Sequence, residues 1–204
     1  MPDYSLEKEY LAKGYTAVCG VDEAGRGPLC GPVFAAACIL PLDLEIEGLN
    51  DSKKLTEKKR EALFDVIKEK AVAYCIASAS VEEIDEMNIL EADLLAMRRA
   101  IDGLQVKADF ALIDGNINRG FQIDSRAIIK GDAISMSISA ASILAKVSRD
   151  RICAELDQKY PEYGIAKHKG YGTKVHMEAL HKYGPSPIHR KQFVRFLDKN
   201  KDEA

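Results

Sequence analysis

Short apolar runs alternate with longer amphipathic stretches along the chain. The apolar runs at 16–22, 31–40 and 71–80 are each bounded by Gly, Pro or charged residues, which predicts strands. The run at 31–40, GPVFAAACIL, is apolar nearly throughout, as is typical of a central strand covered on both faces. Two further strands are predicted at 108–114 and 125–132.

Three stretches carry a helical period. Helices are predicted over 56–70 with Thr56 as the N-cap, over 82–104 ending at Gly103, and over 133–160. The last of these is rich in Ser and Ala, which lets a helix lie close against a sheet. The arrangement predicts an α/β fold with a mixed sheet flanked by helices.

Basic residues are concentrated near the C-terminus, although the net charge of the 204-residue chain is -3. Residues 166–195 hold seven Lys or Arg and one acidic residue, a charge of +6 that leaves -9 for the rest of the chain. The four histidines, at 168, 176, 181 and 189, lie in the same segment. We expect none of them to be a metal ligand, and we expect His176 and His181 on helix surfaces.

The five cysteines, at 19, 30, 38, 75 and 153, show no two-residue spacing. This pattern argues against a disulfide framework and a zinc knuckle, and it favours a reducing compartment. The N-terminus lacks an apolar signal segment, and no apolar run approaches the roughly 20 residues of a membrane span. We expect a cytoplasmic monomer without a membrane partner.

Four acidic residues close predicted strands. Asp22 and Glu23 close the first strand, Asp114 the fourth and Asp132 the fifth. Because α/β proteins place their sites where strand ends meet, we expect the four carboxylates within a few ångströms of each other. Such a cluster repels itself unless cations bind there, and Mg²⁺ or Mn²⁺ are the natural ions for oxygen ligands. Two ions about 3.5–4 Å apart would clamp the attacking water and the leaving oxygen of a phosphoryl transfer.

Each acid also has a structural interpretation. Asp114 precedes Gly115 as a turn former would, and Asp132 stands ahead of a helix as a cap would. Asp22 and Glu23 are harder to explain in this way. Neighbouring strand residues point to opposite faces, so one of the two carboxylates would face inward, where an unpaired charge is costly. The coincidence of all four favours a metal site.

The loop GRGPLCG (25–31) brackets an arginine with glycines. Its glycine spacing does not match the dinucleotide fingerprint, and no Gly-Lys-Ser/Thr follows as in a P-loop. The loop indicates close approach of the backbone to a ligand with Arg26 reaching in, and the alternative is a tight turn with a solvated arginine.

Seven stretches in order over about 20–195 resemble the ribonuclease HII family. They are DEAGRGPLCGPV (22–33), LNDSKKL (49–55), EIDEMNIL (83–90), LIDGN (112–116), KGDAISMSISAASILAKVSRD (130–150), HKGYGT (168–173) and HR (189–190). The resemblance implies a ribonuclease H-like fold and an endonuclease for the RNA of RNA–DNA hybrids. It also implies incision of duplex DNA on the 5′ side of a single embedded ribonucleotide, which leaves a 3′-hydroxyl and a 5′-phosphate.

The resemblance further implies roles for individual residues. The metal-binding, catalytic carboxylates would be Asp22, Glu23, Asp114 and Asp132, with two Mg²⁺ or Mn²⁺ ions. The residues that read the ribose 2′-hydroxyl would be Gly25, Arg26 and Gly27, and Tyr171 would stack on the deoxyribose that follows the ribonucleotide. Lys53 and Lys54 lie in a loop expected near substrate phosphates, where a solvated charge run is the alternative.

The same resemblance divides the chain into a catalytic core over 1–160 and a basic helical, duplex-binding extension over 161–204. The sister family, ribonuclease HIII, carries an additional N-terminal domain, for which the 21 residues ahead of Asp22 leave no room. Two other functions stay open. One is a metal-dependent DNA nuclease or strand transferase on the same fold. The other is a hybrid-binding module without catalysis, although a pure binder gains nothing from carboxylates beside phosphates.

Overall fold

The computed structural model describes residues 2–49, Ser52 and residues 55–199, with side chains as far as Leu197. The strands are β1 (Val18–Ala24), β2 (Val33–Ile39), β3 (Ala73–Ala79), β4 (Phe110–Asp114) and β5 (Asp124–Ile128). The helices are α1 (Ser5–Ala12), α2 (Glu57–Lys70), α3 (Val81–Met87), α4 (Ile89–Asp102), α5 (Met136–Lys159), α6 (Ile165–His168), α7 (Lys174–Tyr183) and α8 (Phe196–Lys199).

The five strands form one mixed sheet in the order β3-β2-β1-β4-β5. The pairs β1–β2 and β2–β3 are antiparallel, whereas β1–β4 and β4–β5 are parallel. Val21 lies opposite Ile113 across the β1–β4 pair, so the carboxyl ends of these two strands come together. The predicted mixed α/β sheet is confirmed, and the long apolar strand β2 occupies an interior position.

Helices cover both faces of the sheet. Cys19, Val21 and the odd-numbered residues of β2 pack with the buried face of α4. Ala36 and Cys38 of β2 pack instead with α2 and α5. Side chains alternate between the faces along a strand, so Asp22 and Glu23 point to opposite faces, as predicted.

Helix α5 lies directly on the backbone of β1. A Cβ atom on Gly20 would lie 2.2 Å from the amide nitrogen of Ile138, so a larger residue at this position would push the helix away. Small residues of α5, Ala140, Ala141 and Ala145, are fully buried on this side of the sheet. The close approach expected from the Ser- and Ala-rich sequence is present.

Three predicted element boundaries are wrong. The helix predicted over 82–104 is divided at Asn88, whose backbone has φ 77° and whose side chain accepts hydrogen bonds from the first amides of α4. The helix predicted over 133–160 begins at Met136, with Ser135 as its N-cap. Strand β5 ends at Ile128, so Asp132 neither closes that strand nor caps α5; it lies in a 3₁₀ turn, Gly131–Ala133.

The chain after α5 folds back against the loop that follows β1. Side chains from both regions share a buried cluster, which includes Cys30, Cys153, Tyr163, Leu180 and Val194. The backbone of Cys30 pairs with that of His189 in an isolated antiparallel bridge. Within the described part of the chain, no helix is long and apolar enough to cross a membrane.

Candidate active site

Three of the four predicted acids meet at the adjoining ends of β1 and β4. Carboxylate oxygens of Asp22, Glu23 and Asp114 all lie within 4.8 Å of one another. Asp22 is 5% exposed, and its Oδ1 accepts a 2.7 Å hydrogen bond from the amide of Glu23. Ser142, on α5, lines the same cavity, and its hydroxyl lies 2.9 Å from that of Ser52.

Asp114 is held from the turn that precedes α5. Its Oδ1 accepts a 2.6 Å hydrogen bond from the amide of Gly131. A Cβ atom on Gly131 would lie 2.6 Å from Cδ1 of Ile138 and 3.2 Å from this same oxygen, so only glycine allows the amide to come so close. The bond fixes the direction in which the Asp114 carboxylate faces the Asp22–Glu23 corner.

Asp132 follows Gly131 directly and is 6% exposed. The turn therefore brings it beside the cluster, but its carboxylate is not part of the group of ligand atoms within 4.8 Å of one another. Asp132 has interactions of its own in the structure. The acids thus form a group of three with a fourth beside it.

The acidic cluster is electrostatically unfavourable without a cation. Burial raises the pKa of Asp22 well above its usual range, and the charges of Glu23 and Asp114 raise it further. Burial also raises the pKa of Glu23, against the opposing charge of Arg26. A divalent cation would relieve this repulsion. The donors are carboxylate oxygens, the ligand type that Mg²⁺ and Mn²⁺ prefer.

A cavity of about 220 Å³ joins the acids to the glycine–arginine loop. Its lining includes Asp22, Glu23, the loop residues Gly25, Arg26 and Gly27, and Tyr171. Ser52, Ser142, Lys146 and Arg149 complete the wall. A larger cavity of about 840 Å³ lies between α3 and residues 185–195, away from the acids. The carboxylates, rather than the volume, identify the smaller cavity as the candidate active site.

The loop residues pack closely around this cavity. Gly25 has φ +101°, and a Cβ atom there would lie 2.0 Å from Nε of Arg149, so this position requires glycine. A Cβ atom on Gly27 would touch the ring of Tyr171 at 3.4 Å. The ring of Tyr171 is therefore directly beside the loop, and the residue is 50% exposed.

The side chain of Arg26 is 47% exposed, and its guanidinium also faces two carboxylates. Its Nη1 lies 3.6 Å from Oε1 of Glu23, and its Nε lies 3.4 Å from Oδ2 of Asp93 on α4. Asp93 is 2% exposed, and burial raises its pKa to about 8, with a further contribution from the charge of Glu23. The guanidinium thus bridges one acid of the cluster to a buried carboxylate of the neighbouring helix.

Sequence reasoning missed several residues of the cavity, among them Asp93, Ser142 and Lys146. Asp93 carries a detectable signal, because it stands four residues from both Ile89 and Met97 on the apolar face of α4. Ser142 and Lys146 resemble any polar residues of a long helix. Lys53 and Lys54 lie outside the residues that the structure describes.

The expected surface position of His176 is wrong, whereas His181 is exposed. His176 is fully buried, and its Nδ1 lies 3.0 Å from the carbonyl oxygen of Tyr171, so this nitrogen carries the proton. The bare Nε2 of His176 then accepts from Nε2 of His189 at 3.1 Å, and Nδ1 of His189 accepts from the amide of Ser186. Cys30 joins the two imidazoles at metal-ligand spacing, but in this tautomer His189 offers no lone pair to a cation.

A mixed α/β sheet of this order, flanked by helices and with carboxylates at adjoining strand ends, defines the ribonuclease H-like class of enzymes. Comparison with known proteins agrees with this assignment. The ribonuclease HII family description matches residues 19–201. The chain belongs to the ribonuclease HII family and is a nuclease, as the sequence motifs predict.

Individual relatives agree over most of their length. Ribonuclease HII of Desulfitobacterium hafniense (strain DSM 10664 / DCB-2) is 58% identical over 188 residues, which cover 92% of this chain and 72% of the relative. The protein of the same name from Caldicellulosiruptor bescii is 53% identical over 192 residues, 94% of this chain and 93% of the relative. The crystal structure of the ribonuclease H2 from Pyrococcus horikoshii OT3 superposes with a TM-score of 0.76 at 31% identity, covering 93% of this chain and 100% of that one. The ribonuclease H-like fold is confirmed.

Proposed function

We propose that this protein hydrolyses the RNA strand of RNA–DNA hybrids and incises duplex DNA on the 5′ side of a single embedded ribonucleotide. The products would carry a 3′-hydroxyl and a 5′-phosphate. One observation carries the proposal: Asp22 and Glu23, which belong to the group of three carboxylates within 4.8 Å of one another, line a cavity together with the glycine–arginine loop and Tyr171. Carboxylates suited to phosphoryl transfer and a loop suited to recognising a ribose thus line the same cavity.

The cofactor in this proposal is a pair of divalent cations, Mg²⁺ or Mn²⁺. Asp22, Glu23, Asp114 and Asp132 would hold them, the first three as direct ligands and Asp132 from beside them. The donor set fits, because the oxygens are hard ligands and the cluster needs positive charge to be stable when ionised. When bound, the cations would supply Lewis-acid activation of the attacking water and charge neutralisation at the leaving oxygen.

The protein's own contribution is to hold these carboxylates in place before substrate arrives. The amide of Glu23 orients Asp22, and the amide of Gly131 orients Asp114. The two bonds come from β1 and from the turn before α5, so two separate elements fix the cluster. Preorganised charge of this kind avoids reorganisation during the reaction.

Recognition of the ribose would come from the loop at Gly25–Gly27. Among the described residues, no hydrogen bond is donated by the backbone amides of Arg26 and Gly27. The 2′-hydroxyl accepts as well as donates hydrogen bonds, and it distinguishes RNA from DNA. The half-exposed ring of Tyr171, beside Gly27, would stack on the deoxyribose of the next nucleotide.

Residues 161–204 would form the duplex-binding extension. Lys167, Lys174, Lys182, Lys191 and Arg195 are exposed on it and are free to approach phosphates. Such contacts give affinity that is independent of sequence and weakened by salt. The cysteines are unpaired, which fits a cytoplasmic location, and we propose that the enzyme acts there as a monomer.

The decisive experiment is cleavage of a labelled DNA duplex that carries one ribonucleotide, with Mg²⁺, Mn²⁺ or a chelator, and with products mapped to the nucleotide. We expect one cut on the 5′ side of the ribonucleotide, abolished by chelator and reduced at least about 1,000-fold by Asp22→Asn. Equal cleavage of an all-DNA duplex would indicate a DNA nuclease instead. Binding without any product would indicate a hybrid-binding module.

A further inference from the structure

The side chain of Arg190 is fully buried under the glycine–arginine loop. Its Nε donates to the carbonyl of Gly31 at 2.9 Å, and its Nη2 donates to that of Gly25 at 2.6 Å. Its Nη1 donates both to the carbonyl of Arg26 at 2.9 Å and to that of Pro28 at 2.8 Å. One guanidinium thus binds four carbonyl oxygens of the same loop.

Other contacts complete this inward arrangement of carbonyls. The backbone amide of Arg190 donates to the carbonyl of Leu29, and Nη2 of Arg149 donates to that of Cys30. A peptide plane whose carbonyl points into the protein has its N–H on the opposite side. The carbonyls of Gly25 and Arg26 share peptide planes with the amides of Arg26 and Gly27, so their bonds to the Arg190 guanidinium direct these two amides towards the cavity.

Burying the charged guanidinium of Arg190 beneath the loop costs free energy. Burial and the charge of Arg149 lower the pKa of Arg190 to about 10, so Arg190 stays charged at neutral pH. Burying a charge among carbonyl dipoles is tolerated only when its donors are satisfied. A lysine has a single nitrogen and cannot reach four carbonyls in a plane.

We propose that Arg190 is a positioning residue for ribose recognition: it sets the orientation of the Arg26 and Gly27 amides and thereby the preference for a ribonucleotide over a deoxyribonucleotide. The proposal rests on the proposed function of this loop. It gives the C-terminal segment a second role, because the same segment that would grip the duplex also shapes the turn that reads the sugar.

The test compares the dissociation constants for two duplexes that differ only by one 2′-hydroxyl. Binding is measured by fluorescence anisotropy in the Asp22→Asn background, which leaves the substrate uncleaved. Arg190→Lys keeps the positive charge but cannot make the four hydrogen bonds, and Arg190→Gln is neutral with two donors on one nitrogen. We expect the preference for the ribonucleotide duplex to fall about tenfold in both, the equivalent of about 1.4 kcal/mol, with little change in affinity for the all-DNA duplex.

Tyr163→Phe is the matched control. The hydroxyl of Tyr163 donates to the carbonyl of Gly184 within the C-terminal segment and does not touch the loop. This variant weakens the same structural unit, and we expect it to keep the wild-type preference. Amide hydrogen exchange over residues 25–31 should accelerate in the Arg190 variants and stay unchanged in Tyr163→Phe.

The possible outcomes distinguish the positioning role of Arg190 from the proposed function of the protein. A folded Arg190→Lys or Arg190→Gln protein with the wild-type preference would overturn the positioning role and leave the proposed function intact. Failure of both variants to fold would also overturn it, since Arg190 would then be a requirement of the whole fold. If the protein with native Arg190 shows no preference for the ribonucleotide, the proposed function itself fails.

Discussion

The Nε of Arg26 lies 3.4 Å from Oδ2 of Asp93, a carboxylate that helix α4 buries beneath the glycine–arginine loop. The other oxygen of this carboxylate, Oδ1, is buried without a hydrogen-bond partner among the described residues. Asp93 therefore costs stability and holds the arginine from the side opposite to Glu23. Such an arrangement is expected where a side chain serves a site rather than the fold.

Asp93→Asn should stabilise the folded protein and at the same time lower its catalytic activity. The pKa of Asp93 is raised to about 8 from 3.8, so the folded state takes up a proton between these pH values and folding becomes less favourable as pH rises. We expect Asn to raise the free energy of unfolding by about 2 kcal/mol at pH 8, and by much less near pH 4. Urea unfolding at both pH values in chelator measures this difference.

The same variant should lose activity on a single-ribonucleotide duplex. Above pH 8, where Asp93 is ionised, the variant has one carboxylate left beside the guanidinium, and we expect kcat/KM to fall about fivefold. Asp102→Asn is the control, because it makes the same change on the exposed end of α4. An Asp93→Asn protein that is less stable at pH 8, or as active as wild type, would contradict this account of the Arg26–Asp93 pair.

Asp114 and Asp132 should differ in what their removal does to metal binding. Asp114 belongs to the group of ligand atoms within 4.8 Å of one another, and Asp132 lies beside it. We expect Asp114→Asn to weaken Mn²⁺ binding at least about tenfold and Asp132→Asn less than about threefold, while cleavage falls about 100-fold or more in both. Calorimetric titration with Mn²⁺ separates the two.

Asparagine is a suitable replacement at position 114, because its side-chain oxygen still accepts from the amide of Gly131. The variant should therefore keep its fold, which circular dichroism checks. Equal loss of Mn²⁺ affinity in the two variants would place Asp132 among the direct ligands.

Tyr171→Ala should weaken substrate binding without loss of stability. The residue is half exposed beside Gly27, and stacking on a nucleotide is worth about 1–3 kcal/mol. We expect KM to rise about tenfold and the melting temperature to stay the same, whereas Tyr171→Phe keeps the ring and stays near wild type. Tyr183→Ala removes an equally exposed tyrosine (52%) outside the cavity and should leave KM unchanged.

The strands and the positions of the acidic residues could be predicted from the sequence, because both depend on residues that are close together along the chain. An apolar run that ends in charged residues fixes a strand and its end, and neighbouring parallel strands then bring Asp22 and Asp114 together. The break at Asn88 could not be predicted in this way. A single residue with positive φ restarts the helix in a new direction, while the apolar period continues on both sides.

Other features depend on contacts between distant segments. Arg190 stands in a run of basic residues that suggests phosphate binding, and only its place beneath a loop about 160 residues earlier shows its role. His176 has the sequence surroundings of a surface residue, but a partner 13 residues later buries it. Charge and periodicity describe one element at a time, so they do not reveal side chains that join two elements.

The His176–His189 pair should make the protein less stable in mild acid. Burial and the neighbouring His176 lower the pKa of His189 to about 4 from 6.5, so the unfolded state binds the proton first as pH falls. The contribution of this neutral imidazole is complete above pH 6.5 and is lost progressively between pH 6.5 and 4. We expect His189 to account for a loss of about 2 kcal/mol in the free energy of unfolding between pH 7.5 and 5.

Asp93 changes the free energy of unfolding with the opposite sign in this pH range, so the effect of His189 must be taken as a difference between wild type and His189→Gln. Urea unfolding of both proteins at the two pH values gives that difference, and equal pH dependence in the two would show that His189 does not titrate on unfolding.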